Sequence, residues 1–104
     1  MAQETLDEKF TRLSTWGTTH IEKYTHRFNF NRLLDLYGNW RRANDGPVTT
    51  PRPTGFVGKE TLKWDIWKSL DYKSPDECKR DYIALIEDMN KELLLSEPTL
   101  DFTN

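Results

Sequence analysis

The sequence predicts an all-α fold, with four helices in one domain and a long loop between the second and third. Three observations carry this. Apolar residues recur at three- and four-residue spacing in four separate stretches. Two of those stretches open on capping-box signals. The break between the second and third is rich in proline and glycine, which no regular element tolerates. With 104 residues, the chain is read as a single domain over 1–104, because two would leave neither half a workable core.

The first helix is expected to begin at Thr5, with Glu8 completing a capping box. Phe10, Leu13, Gly17, Ile21 and Tyr24 follow at helical spacing. Gly17, with Ser14, Thr15, Thr18 and Thr19 around it, weakens the helix locally. One long helix and a broken pair both fit, and the reading taken is one helix.

The second helix is expected over Asn31–Ala43, with Asn29 or Asn31 as N-cap. Leu33, Leu34, Leu36, Tyr37 and Trp40 form its apolar face. Arg32, Asp35, Asn39 and Arg42 fall mainly outside that face, and Asn44, Asp45 and Gly46 supply the stop. From Gly46 to Lys59 the chain holds three Pro and three Gly and reads as a crossing loop.

The third helix is short, about Glu60–Leu70, with Leu62, Ile66, Trp67 and Leu70 on one side. The fourth is the clearest. Ser74 caps it, Pro75 takes the first helical position and Glu77 closes the box. Its buried stripe is Cys78, Tyr82, Leu85, Ile86, Met89 and Leu93. Pro98 ends any continuation, and about 1–4 and 96–104 read as loose tails, the last of them Thr99–Asn104.

Composition narrows the function. There are 15 Lys and Arg against 17 Asp and Glu, a balance that argues against a nucleic-acid or anionic-membrane binder. No apolar run is long enough to span a bilayer, and the opening residues lack a signal-peptide core, so a cytoplasmic location is the expectation. The one cysteine, Cys78, excludes an intrachain disulfide. A monomer is the default for a domain of this size.

The residues give catalysis little to work with. His20 and His26 sit near no nucleophile pattern, and one Cys with two His is a poor metal set. Gly55–Lys59 lacks the glycine spacing and the hydroxyl residue of a phosphate loop. Neither an enzyme nor a bound metal or cofactor is expected. A better constellation is Tyr37 and Trp40 one turn apart, with Arg41 one turn beyond Tyr37. Two rings beside a guanidinium suit a base plus a phosphate. From helical spacing alone, plain core packing with a solvated arginine is the favoured reading. Lys63 to Trp67 invites the same weighing: Lys63 is a cation for an anionic ligand or an exposed neighbour of two packing tryptophans, and both readings are expected to hold in part. Tyr82 could pack fully or offer its hydroxyl.

The order of these pieces resembles the acyl-CoA-binding protein (diazepam-binding inhibitor) family. The resemblance runs from Leu33 to about Met89. It rests on Leu36-Tyr37-Gly38-Asn39-Trp40-Arg41-Arg42-Ala43 followed by Gly46, then Arg52-Pro53, then Lys63-Trp64-Asp65-Ile66-Trp67, and Tyr82. It implies a four-helix bundle without catalytic activity that holds long-chain fatty acyl-CoA for intracellular pooling and transport. On that reading Tyr37 and Trp40 lie around the adenine, and Arg41 reaches the nucleotide phosphates. Lys63 and Tyr82 attend the ribose 3′-phosphate, with Lys59 as a further cation, while Leu33 and Leu34 face the acyl chain. Trp40 stands where tyrosine is usual, Arg41 where lysine is, and Thr54 where glycine is. Arg42 replaces glutamine and is expected to add a cation at the rim. Residues 1–30 do not align clearly, so the family's first-helix lysine has either Lys23 or no counterpart here. Two rivals remain, a protein-interaction module with weak ligand binding and a nucleic-acid binder using Trp40, Arg41 and Arg42.

Overall fold

The computed structural model describes residues 3–55 and 58–96. The expected stop at Pro98 and the tail at Thr99–Asn104 lie outside them. Four α-helices run in order: α1 (Leu6–His20), α2 (Phe30–Asp45), α3 (Lys59–Ser69) and α4 (Pro75–Ser96), with a 3-10 segment, Ile21–Arg27, after α1. Helix α4 packs against both α1 and α2, and α3 packs against α2.

Local chemistry sets the helix starts. Thr5 Oγ1 accepts from the Glu8 N–H at 3.1 Å and Glu8 Oε1 accepts from the Thr5 N–H at 3.1 Å, the reciprocal pair foreseen in the sequence. Asn29 caps α2 by accepting from the Arg32 N–H at 2.9 Å. Gly46, at φ 75°, ends that helix, in a region of backbone space that favours glycine. Ahead of α3, the Gly58 N–H donates to Thr61 Oγ1 at 2.8 Å. Ser74 and Glu77 form the second reciprocal cap, at 3.1 and 3.2 Å.

The expected single first helix is corrected. The α-helix stops at His20, a 3-10 segment follows, and the backbone kinks at Tyr24 (φ −119°, ψ 21°). The break is not at Gly17. There the missing side chain admits α4, since a Cβ would sit 2.9 Å from Ile86 Cδ1 and 3.1 Å from the Tyr82 hydroxyl. Beyond it, Ile21 and Tyr24 both turn onto the core, and a 3-10 turn places residues three apart on one face.

The core joins Phe10, Leu13 and Ile21 to Tyr82, Ile83, Ile86, Met89 and Leu93. Cys78 is also fully buried. Leu85, expected in this stripe, is half-buried and faces a groove with Asp35, Leu70 and Lys73. Ile83 is buried instead, one turn after Lys79, which pairs with Asp7 of α1 at 2.6 Å. Contact with α1 thus widens the buried face of α4 on that side.

Asn39 and Arg42 were expected outside the packed face of α2, and Arg42 at the rim. Both are buried, at 5% and 7% exposure. Arg42 donates to the Leu70 carbonyl at 3.3 Å and to the Lys73 carbonyl at 2.7 Å, tying α2 to the turn after α3, where the Leu70 carbonyl also accepts from the Lys73 N–H at 3.0 Å. Lys73 donates to Asn39 Oδ1 at 2.9 Å and pairs with Asp81. Arg42 is therefore a clamp between α2 and the α3–α4 turn.

Candidate ligand-binding site

Helix α2 opens onto two neighbouring cavities. The first, of about 380 Å³, lies between the Gly17–Thr25 stretch, α2, α3 and α4. Its walls are Gly17, Ile21, Thr25, Leu33, Leu36, Tyr37, Trp40, Lys63 and Tyr82. The second, of about 290 Å³, lies under the crossing loop, against Arg41, Thr50, Pro51, Pro53, Glu60, Trp64 and Trp67. Tyr37 and Lys63 border both.

The helices reach this geometry by close approach. Gly38 lies where α2 meets α3, and a Cβ there would stand 2.7 Å from Ile66 Cγ1. That contact sets Tyr37 of α2 beside Lys63 of α3, whose Nζ is 5.2 Å from the Tyr37 ring centroid, a cation–π distance. Tyr37 and Trp40 have centroids 6.2 Å apart with planes at 40°. Trp40 is 36% exposed, so part of its ring faces open space.

Arg41 belongs to the second cavity. Its guanidinium lies over Trp67, 4.5 Å from the ring centroid. Asp45 Oδ2 is 2.8 Å from its Nε, yet the buried Nε–H makes no hydrogen bond, because the carboxylate stands off the line of that N–H. Tyr82 forms the floor of the first cavity. It is 4% exposed and meets Phe10 edge-on at 5.2 Å. Burial pushes its hydroxyl up to about 12, so the phenol stays neutral across the ordinary range.

The crossing loop is tied down by polar contacts. Arg52 forks onto Asp65 at 2.8 and 3.0 Å. The Trp64 Nε1–H donates to the Thr50 carbonyl at 3.0 Å, and the Trp67 Nε1–H to the Gly46 carbonyl at 2.8 Å. The Val48 N–H donates to Asp71 Oδ1 at 3.3 Å. These bonds roof the second cavity.

Of the residues singled out in the sequence, Leu33, Tyr37, Trp40, Lys63 and Tyr82 share the first cavity. Arg41 faces the second. Lys59 is exposed at the start of α3, Leu34 is half-buried on α2, Lys23 is exposed on the 3-10 segment, and none of these three lines either cavity. Sequence reasoning missed Ile21, Thr25 and Leu36 as walls. Leu36 had a signal in the helical spacing of α2. Ile21 had the same kind of signal in the spacing of the first helix, whereas Thr25 had none, because the kink that aims it follows from tertiary packing. The loop residues Thr50, Pro51 and Pro53 were likewise invisible as a roof.

Together the walls offer stacking faces, two cations and an apolar recess, a set suited to an amphipathic anion carrying a planar ring. Among the described residues, no group of His, Cys, Asp or Glu could hold a metal ion, and no helix is long and apolar enough to cross a membrane.

Comparison with known proteins gives an independent view. The family model described as acyl CoA binding protein matches residues 7–86, so all of α1 after Leu6 falls within it. An acyl-CoA-binding protein of Brassica napus is 44% identical over 77 residues, covering 74% of this chain and 79% of the relative. Acyl-CoA-binding domain-containing protein 6 of Arabidopsis thaliana is 46% identical over 57 residues, covering 55% of this chain and 62% of its own length. The crystal structure of acyl-CoA-binding protein 2 of Oryza sativa superposes with a TM-score of 0.71 at 31% identity, covering 93% of this chain and all of that one.

Proposed function

The chain belongs to the acyl-CoA-binding protein family, and from that premise we propose that it binds long-chain fatty acyl-CoA without catalysis, as a cytoplasmic monomer that pools and carries the ester. The observation that carries this reading is the shared border. Tyr37 and Lys63 stand between an apolar cavity and a cavity of rings and cations, so one molecule with a fatty chain and a polyanionic nucleotide end can lie across them.

In this arrangement Tyr37 and Trp40 stack on the adenine. Lys63 and Arg41 take phosphate oxygens, Arg41 as a planar fork that lysine lacks. Lys59, one helical turn before Lys63, adds positive potential at the same end. Tyr82 serves from the cavity floor. Leu33, joined by Ile21 and Leu36, shields the chain, and each methylene taken from water contributes about 0.8 kcal/mol. The head group gives recognition and the chain adds affinity. Because the head-group contacts are half-exposed charges, binding should weaken as salt rises.

Isothermal titration calorimetry with palmitoyl-CoA, beside free CoA and free palmitate, tests the proposal. The expected result is tight 1:1 binding of the ester alone. Lys63→Ala should weaken it by about tenfold or more, the loss of a charge-assisted contact. No heat and no competition from a chain that circular dichroism shows to be folded would sink the reading. The interaction-module alternative would then take its place.

A further inference from the structure

Asp45 ends α2 against two local rules. An acid in the last turn faces the negative end of the helix dipole. In an i,i+4 ion pair, the order with the acid first is the more stabilising, and here Arg41 comes first. Helix stability alone thus gives little reason for a carboxylate at this position. What Asp45 does is occupy Arg41. Its Oδ2 lies 2.8 Å from Arg41 Nε, and the two side chains are 36% and 43% exposed, so a ligand anion can reach the pair. The guanidinium is held flat on Trp67 at 4.5 Å, inside the cavity it shares with Lys63. Its buried Nε–H has no hydrogen-bond partner. Arg41 is thus partly neutralised by Asp45, and an incoming phosphate meets the exposed remainder of the same side chain.

We propose that Asp45 sets the affinity of the head-group site, its carboxylate competing with the incoming phosphate for the Arg41 guanidinium. The inference rests on the acyl-CoA reading given above. A phosphate arriving at Arg41 must displace Asp45 or bind beside it, and either course costs affinity. The consequence is a site that releases its ligand more readily than one with an unopposed Arg41, since affinity differences between related complexes lie mostly in the off-rate. Asp45 is a positioning residue here, acting only through Arg41.

The test is a double-mutant cycle. Palmitoyl-CoA is titrated into the intact chain, Asp45→Asn, Arg41→Gln and the double variant, at low and at high salt. Asp45→Asn should tighten binding by about threefold at low salt, the scale of an exposed ion pair. The gain should shrink as salt screens the charges. In the Arg41→Gln background the same change should have much less effect. Unchanged or weaker binding by Asp45→Asn overturns the proposal, and so does an equal gain in both backgrounds, which would reveal a general charge effect. If the unaltered chain binds palmitoyl-CoA but Asp45→Asn does nothing, this inference alone fails. If the unaltered chain does not bind at all, the acyl-CoA reading fails and this falls with it. Circular dichroism should find every variant folded, because Asp45 sits at an exposed helix end.

Discussion

The seam between α1 and α4 and the wall made by α2, the crossing loop and α3 each bring two helices together at a glycine, yet different chemistry holds them. The seam is mainly apolar: Phe10 and Leu13 meet Ile83, Ile86, Met89 and Leu93, with ion pairs such as Lys9–Glu87, at 3.4 Å, at its edge. The wall depends on directional bonds from Arg42, Arg52, Trp64 and Trp67 to carbonyls and a carboxylate. The seam's own cavity, between Arg12, Trp16, Glu87 and Asn90, holds none of Tyr37, Trp40, Arg41 and Lys63. A wall pinned by discrete bonds can keep Tyr37, Trp40, Arg41 and Lys63 turned toward open cavities. Stability should therefore concentrate in the seam and recognition in the wall.

The largest expected effect lies in the seam. Met89 is fully buried and lines none of the cavities. Met89→Ala should cost about 2–5 kcal/mol in urea denaturation, the transfer term plus the cavity left behind, while palmitoyl-CoA affinity stays near normal in whatever fraction remains folded. A loss under about 1 kcal/mol would mean the core collapses around the gap and the seam is less rigid than its packing implies.

Next comes Tyr82, where seam and wall meet. Its hydroxyl is pushed from an ordinary value of 10.0 up to about 12 by burial. Between those values the unfolded chain has released the proton and the folded chain retains it. The contribution is thus fully present below pH 10 and is lost as pH rises through about 12. Two units correspond to about 2–3 kcal/mol. Urea midpoints measured from neutral pH upward should fall across that window, and Tyr82→Phe should flatten that part of the fall. An unaltered slope in Tyr82→Phe would assign the alkaline loss elsewhere.

The two glycines sharpen the contrast. At Gly38 an added methyl meets Ile66 Cγ1 at 2.7 Å, a methylene bonded directly to the branched Cβ and so less free to swing aside than a chain end. Gly38→Ala should cost about 1–3 kcal/mol and weaken ligand binding, because it moves Tyr37 and Trp40 away from Lys63. At Gly17 the first atom met is Ile86 Cδ1, at 2.9 Å, the flexible end of its side chain. There the gain in helix propensity, about 1 kcal/mol, should offset much of the clash. Equal losses at both sites by urea denaturation would show that the seam is as unyielding as the wall.

Much of the fold was legible because its signals are local. Ser74, Pro75 and Glu77 announce α4 within four residues, and Asn29 announces α2. What was not legible depends on partners far along the chain. Whether Arg42 lies at a rim or inside is decided by the carbonyls of Leu70 and Lys73, 28 and 31 residues away. The break after His20 follows from turning Ile21 and Tyr24 onto a core built largely by α4. The site divides in the same way. Motif order gathered Tyr37, Trp40, Lys63, Tyr82 and Leu33, all of which meet at one cavity. It could not say that Arg41, beside Trp40 in sequence, turns to the other cavity. That follows from Trp67, onto which the guanidinium stacks.

The smallest expected effect concerns the loop that roofs the second cavity. Arg52 and Asp65 are both exposed or half-exposed, and the Arg52 guanidinium holds the Asp65 carboxyl below its ordinary value of 3.8. That link supports the folded loop above pH 3.8 and is lost as pH falls through the depressed value. Because the pair stands in water, Arg52→Ala should leave the urea midpoint nearly unchanged. Its signature should be local: faster amide exchange at Val48 and in α3 around Trp64, where the remaining bonds must hold the roof alone. The same acceleration should arise in the unaltered chain when acid protonates Asp65. If instead Arg52→Ala lowers global stability as much as Met89→Ala, the loop is part of the cooperative core. The wall would then be held no differently from the seam, and the separation of recognition from stability drawn above would fail at its weakest bond.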